Sequence, residues 1–101
     1  DTCSGHVLLA FGGGGEGELA TVLETVRARG YEMMRSHRTQ GVTDISYPVF
    51  GFDGHVAAAL TVPFLKLIDG TQTVGRDAAR ETLAETARAI SEALGAANPE
   101  R

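Results

Sequence analysis

Three groupings of side chains in this sequence have the residue types for chemistry. Cys3 and His6 lie three residues apart, a spacing that puts both on one side of a helical turn, and His37 and His55 follow. Such donors suit zinc, but a metal site needs three or four converging ligands, and two in a capping turn read as structural groups. No metal or cofactor is expected. Gly12-x-Gly14-x-x-Gly17 satisfies the dinucleotide-binding pattern. That pattern cradles a pyrophosphate only after a strand, inside a βαβ unit. Here a helix precedes it and no such unit surrounds it, so it reads as a flexible loop. Asp44, Ser46, His37 and His55 could be assembled into a hydrolytic set. No Gly-x-Ser-x-Gly elbow accompanies them and nothing orients a base toward a nucleophile, so no catalytic activity is expected.

The elements that must position these groups follow from spacing and punctuation. Thr2 or Ser4 can cap a short helix over the apolar run Val7–Phe11, and Gly12 to Gly15 end it. Residues 16–29 predict a second helix, with Leu19, Val22, Leu23 and Val26 as its apolar stripe. Glu16 and Glu18 open it and Arg27 and Arg29 close it, as the helix dipole favours. Gly30 stops it.

Strand character follows. Residues 31–38 predict one strand, Thr39-Gln40-Gly41 a loop, and Val42 to Phe50 a second strand. Asp53-Gly54 is a two-residue hairpin turn, and His55 to Val62 return, limited by Pro63. Pro48 marks an edge or a bulge, since it cannot donate to a ladder. A connection over residues 64–74 leads to the longest helix, from Val74 or Gly75 to Leu94. Its apolar face is Ala79, Leu83, Ala87, Ile90 and Leu94. Glu85–Arg88 and Arg88–Glu92 pairs sit outside, and Gly95 ends it.

Side chains alternate along a strand. Ile45, Tyr47 and Val49 therefore point away from Val42, Asp44, Ser46 and Pro48. In the returning strand Val56, Ala58, Leu60 and Val62 oppose Ala57, Ala59 and Thr61. The bulky sets belong under the helices. The other face carries small residues with Asp44, Ser46 and Thr61. A few polar groups in an otherwise small, apolar space suit a small-molecule pocket. A solvated sheet surface would carry the same pattern equally well.

The bulk numbers narrow the class. One domain is expected for 101 residues, and 43% hydrophobic with 22% charged residues excludes disorder. A net charge of −4 without a basic stripe argues against direct nucleic-acid binding. The single cysteine excludes an internal disulfide and fits a reducing cytoplasm. No apolar run is long enough to span a bilayer, so no membrane association is expected. The acidic start is not a signal peptide.

In this order the segments resemble one family. The run Thr2-Cys3-Ser4-Gly5-His6-Val7-Leu8-Leu9-Ala10 resembles the Thr-Ala-x-Gly-Lys-x-x-Leu-Ala segment of IclR-type effector domains. Arg27-Ala28-Arg29-Gly30-Tyr31 is similar to their Arg-x-x-Gly-Tyr. Gly41 to Phe50 is similar to their Gly-Val-x-x-Ile-Ala-x-Pro-Val. Gly54 with Ala57–Val62 and Ala87–Gly95 resemble their hairpin and closing helix. The likeness runs from Thr2 to Gly95.

The resemblance implies an α+β, GAF-like fold: an antiparallel sheet with helices on one face, a ligand cavity on the other, and an incomplete N-terminal side. Residues 1–101 would be the C-terminal portion of an effector-binding domain, without the DNA-binding domain that family members carry upstream. It implies a small organic acid or aromatic metabolite as ligand, a homo-oligomer (dimer or tetramer), and DNA contact only through the absent domain. The ligand's carboxylate would meet backbone N–H groups at Thr2, Cys3, Ser4 and Gly5, since helix N-termini attract anions. Met34, Val42, Asp44 and Thr61 would face the cavity. Cys3 stands where the family often has Ala, His6 where Lys is usual, and Met34 at a position often polar. Asp44 would repel a carboxylate, so it is expected to meet a hydroxyl or amine. The alternative is a non-sensing oligomerisation scaffold with a vestigial pocket.

Overall fold

Thr2 starts the first helix by a side-chain cap: its Oγ1 accepts from the Gly5 backbone N–H at 3.0 Å. The computed structural model describes residues 2–14, 17–36, 38–65 and 74–96. Helix α1 runs Cys3–Phe11, with Gly12 as its C-cap. A short 3-10 turn, Gly17–Leu19, leads into α2, Ala20–Arg29. The single helix expected over residues 16–29 is therefore two pieces, and Glu16 and Gly15 lie outside the described residues. Gly30 ends α2 at φ 94°, which a side chain would strain.

Three antiparallel strands follow in the order β1 (Glu32–Arg35), β2 (Val42–Phe50) and β3 (Val56–Leu65). The first strand is half the expected length, because the chain leaves the ladder at Ser36. The hairpin is wider than Asp53-Gly54: Gly51 N–H donates to His55 O at 3.0 Å and closes a loop around both. A register shift at Val49/Phe50 is the irregularity that Pro48 foretold. Strand β3 passes through Pro63 to Leu65, which an edge strand tolerates. Helix α3, Arg76–Ala93, falls where its periodicity put it.

The α+β class and the antiparallel sheet are as expected, but the helices divide between the two faces. Directly opposed residues share a face, so Glu32, Asp44, Ser46, Pro48, Ala59 and Thr61 lie on one side. Helix α1 covers that side: Val7 and Ala10 form a core with Leu23 and Val26 of α2, and Ala59 packs against it. Helix α3 covers the other side through Leu83 and Ala87, with Arg80 reaching the Tyr47 hydroxyl at 3.0 Å. The reason is that β2 is central and covered on both faces; Ile45 and Ser46 are both fully buried. Of the small residues on the α1 side Ala59 packs against that helix, while Ala57 and Thr61 are exposed. Val22, Ile90 and Leu94, expected in the core, are each more than a third exposed.

Candidate functional site

The N-terminal turn of α1 lies against the far end of this covered face. There Thr2 and Cys3 meet Met34 of β1 and Asp44 of β2, which are paired across the ladder. Together with Arg35, Ser36 and Arg38 they line a partly open cleft of about 110 Å³. Liquid water occupies about 30 Å³ per molecule, so the space suits a ligand of a few heavy atoms.

Four of the eight residues singled out from the sequence thus converge: Thr2, Cys3, Met34 and Asp44. The other four stay outside the walls. The Gly5 N–H is occupied by the Thr2 hydroxyl, and Ser4 sits on the same turn. Val42 is buried at the start of β2, where its carbonyl accepts from Ser36 N–H at 2.9 Å. Thr61 lies further along the sheet and shares a 2.8 Å hydrogen bond with Ser46.

Sequence reasoning missed Arg35, Ser36 and Arg38. Ser36 Oγ accepts from the backbone N–H groups of Arg38 and Thr39, both at 3.2 Å. That turn folds the loop back over the cavity mouth and brings Arg38 there. A hydroxyl two residues before the arginine was the available signal. Arg38 lines this end of the face, where a guanidinium beside a helix start attracts anions, whereas Arg35 pairs with Thr43 on the opposite face of the sheet. Asp44 supplies one opposing charge.

Cys3 is held as a neutral thiol. Burial, then the Glu32 and Asp44 carboxylates, push its pKa up to about 12. Its Sγ lies 3.4 Å from Asp44 O and 3.6 Å from Glu32 O, so the S–H is directed at carbonyls. His6 is turned elsewhere, with Nδ1 2.8 Å from Glu32 Oε2. Glu32 also accepts from Arg29 and, at 2.9 Å, from Met33 N–H. Cys3 and His6 therefore do not converge on a common point. No cluster of three metal-ligating side chains occurs among the described residues. No helix among them is long and apolar enough to cross a membrane.

Comparison with known proteins places this geometry. The chain matches the family model for the bacterial transcriptional regulator IclR C-terminal region over residues 15–92. No curated protein matches it. It is similar to the crystal structure of Pseudomonas aeruginosa HmgR, with 31% identity and a TM-score of 0.75. That alignment covers 97% of this chain and 45% of HmgR. The C-terminal domain of the E. coli transcriptional regulator KdgR is similar at 27% identity and TM-score 0.65, covering 93% of this chain and 69% of that domain. The Agrobacterium tumefaciens repressor BlcR, at 22% identity and TM-score 0.70, shares the fold over 93% of this chain and 46% of its own. The chain thus spans less than half of HmgR and BlcR. With a family model matching well over half of its residues and a shared antiparallel scaffold, this chain belongs to the IclR family of bacterial transcription regulators, as part of the C-terminal effector-binding domain.

Proposed function

We propose that this chain senses a small organic acid in the cavity at the start of α1, and that occupancy shifts the oligomeric arrangement and DNA grip of the complete regulator. The observation that carries this reading is convergence: Thr2 with Cys3, Met34, and Asp44, from three separate stretches of the sequence, line one cleft together with Arg38. The carboxylate would lie toward Arg38 and the backbone N–H groups opening α1. Asp44 would accept from a hydroxyl or amine on the same molecule. The volume favours a short aliphatic acid over an aromatic one. Residues 1–101 act in this reading as the C-terminal, GAF-like portion of the effector domain, in the cytoplasm and without enzymatic activity. DNA is met by a domain elsewhere in the regulator.

The test is thermal melting against a panel of short carboxylic acids, beside Asp44→Ala and Arg38→Gln variants. A ligand at a hundred times its Kd stabilises by about 2.7 kcal/mol. A specific hydroxy acid that raises the melting point of the parent and not of the variants supports sensing. Cooperative melting that no acid shifts would leave the scaffold reading.

A further inference from the structure

Strand β1 stops pairing at Glu32↔Ser46, while β2 continues to Phe50. From Tyr47 onward β2 has no paired strand on that side among the described residues. Pro48 suits the position, since it has no N–H to leave unpaired. The Phe50 N–H is instead met by the buried Ser91 hydroxyl of α3 at 2.9 Å. The space that a longer β1 would fill is a cleft of about 250 Å³, well separated from the cavity at the α1 start.

Its walls are aromatic. Phe11 and Phe50 meet edge to face at 5.8 Å on one side, and Tyr31 stacks on Tyr47 at 5.1 Å on the other. Ala84 and Ala87 of α3 form the third wall and leave room, having no more than a methyl group. The charged groups at this cleft are Arg29, Arg80 and Arg88, and none of its lining residues is acidic. Arg29 and Arg80 already lie over the Tyr31 ring at 4.7 and 4.9 Å. Arg88 forms no ion pair among the described residues, so its charge is available.

We propose that this cleft is a second binding site, for a single-ring aromatic carboxylate whose ring lies between the phenylalanines and α3 and whose carboxylate meets Arg88. The size supports one ring: drug-sized pockets begin near ~300 Å³. Aromatic walls favour a flat apolar body; Arg29 is already paired with Glu32, and Arg80 and Arg88 leave the rim favouring an anion over a neutral ring.

Benzoate titrated into the isotope-labelled chain tests this by amide NMR shifts. Saturable shifts at Tyr47, Ala84 and Ala87 are expected. They should weaken at least tenfold when the neutral benzamide replaces benzoate, and again for Arg88→Gln, an exposed position that folding does not depend on. Ala84→Phe should abolish them by filling the cleft, whereas Arg38→Gln, at the other cavity, should leave them unchanged. Shifts confined to Thr2, Met34 and Asp44, equal binding of benzamide, or no saturable shift would each overturn the proposal. Because the two sites respond to different variants, failure here leaves the small-cavity reading to its own test.

Discussion

His6 and Glu32 form a buried pair, Nδ1 to Oε2 at 2.8 Å, that ties the first helix to the first strand. Both side chains are under a tenth exposed. Glu32→Ala removes the acceptor for His6, Arg29 and the Met33 N–H together. A buried polar group left without its partner costs about 1–3 kcal/mol, and more when charged. The variant should lose at least about 2 kcal/mol in urea unfolding with an unchanged m-value. A loss below about 0.5 kcal/mol would show that the pair contributes nothing net.

Cys3 gives a pH signature. Its pKa is raised from 9.0 to about 12 in the folded chain, so the neutral thiol is the form that folding favours. The stability it contributes is complete below pH 9 and is lost as pH rises toward 12. The parent-minus-Cys3→Ala difference in unfolding free energy should therefore shrink over that window. It should stay flat from pH 6 to 8. At pH 8 a thiol reagent should label the native chain far more slowly than the urea-unfolded one, since roughly one molecule in ten thousand is thiolate.

Thr61 separates a packing role from a ligand role. Its hydroxyl is the partner of the fully buried Ser46. Thr61→Val should cost about 1 kcal/mol, while Ser46→Ala with Thr61→Val should cost less than the two singles summed. Short-acid binding, read by calorimetry, should be untouched by Thr61→Val. A tenfold loss of affinity would return Thr61 to the site.

Asp44 sets ligand preference within the proposed cavity. The parent should favour lactate over propionate, because the carboxylate of Asp44 can accept from a hydroxyl. Asp44→Asn removes a negative charge beside the bound anion. Propionate should then bind more tightly than to the parent, and the lactate preference should fall. Weaker propionate binding would mean that Asp44 does not face the ligand.

The long periodic stretch of α3 and its glycine boundaries were legible because capping and a 3.6-residue period agree over many turns. The division of helices between two faces was not. Alternation in β2 separates bulky from small residues, and that pattern fits a pocket as well as a closely applied helix. Ser46 illustrates the limit: its type suggests a solvent or ligand contact, and only the register with Thr61 shows how it is satisfied inside. Four of the seven residues lining the proposed site were readable as residues and none of it as a shape. Arg38 reaches the cleft only through the turn at Ser36, which no strand or helix period in the sequence announces. The apolar face of α3 was read correctly at Leu83 and Ala87, but Ser91 takes the buried place expected of Ile90 and Leu94. Arg80, Ala84 and Ser91 face the sheet, and Arg80 can do so only because Tyr47 and Tyr31 receive its charge.

Arg29 bonds Glu32 on one side and lies over Tyr31 on the other, and Tyr31 in turn stacks on Tyr47, to which Arg80 donates. This chain of contacts rounds the end of β1, so it connects helices that share no face of the sheet. The contacts run without a break from His6 of α1 through Glu32, Arg29, Tyr31 and Tyr47 to Arg80 of α3. His6→Ala and Arg80→Gln should therefore fail to add, with a coupling above about 0.5 kcal/mol between residues on opposite sides of the sheet.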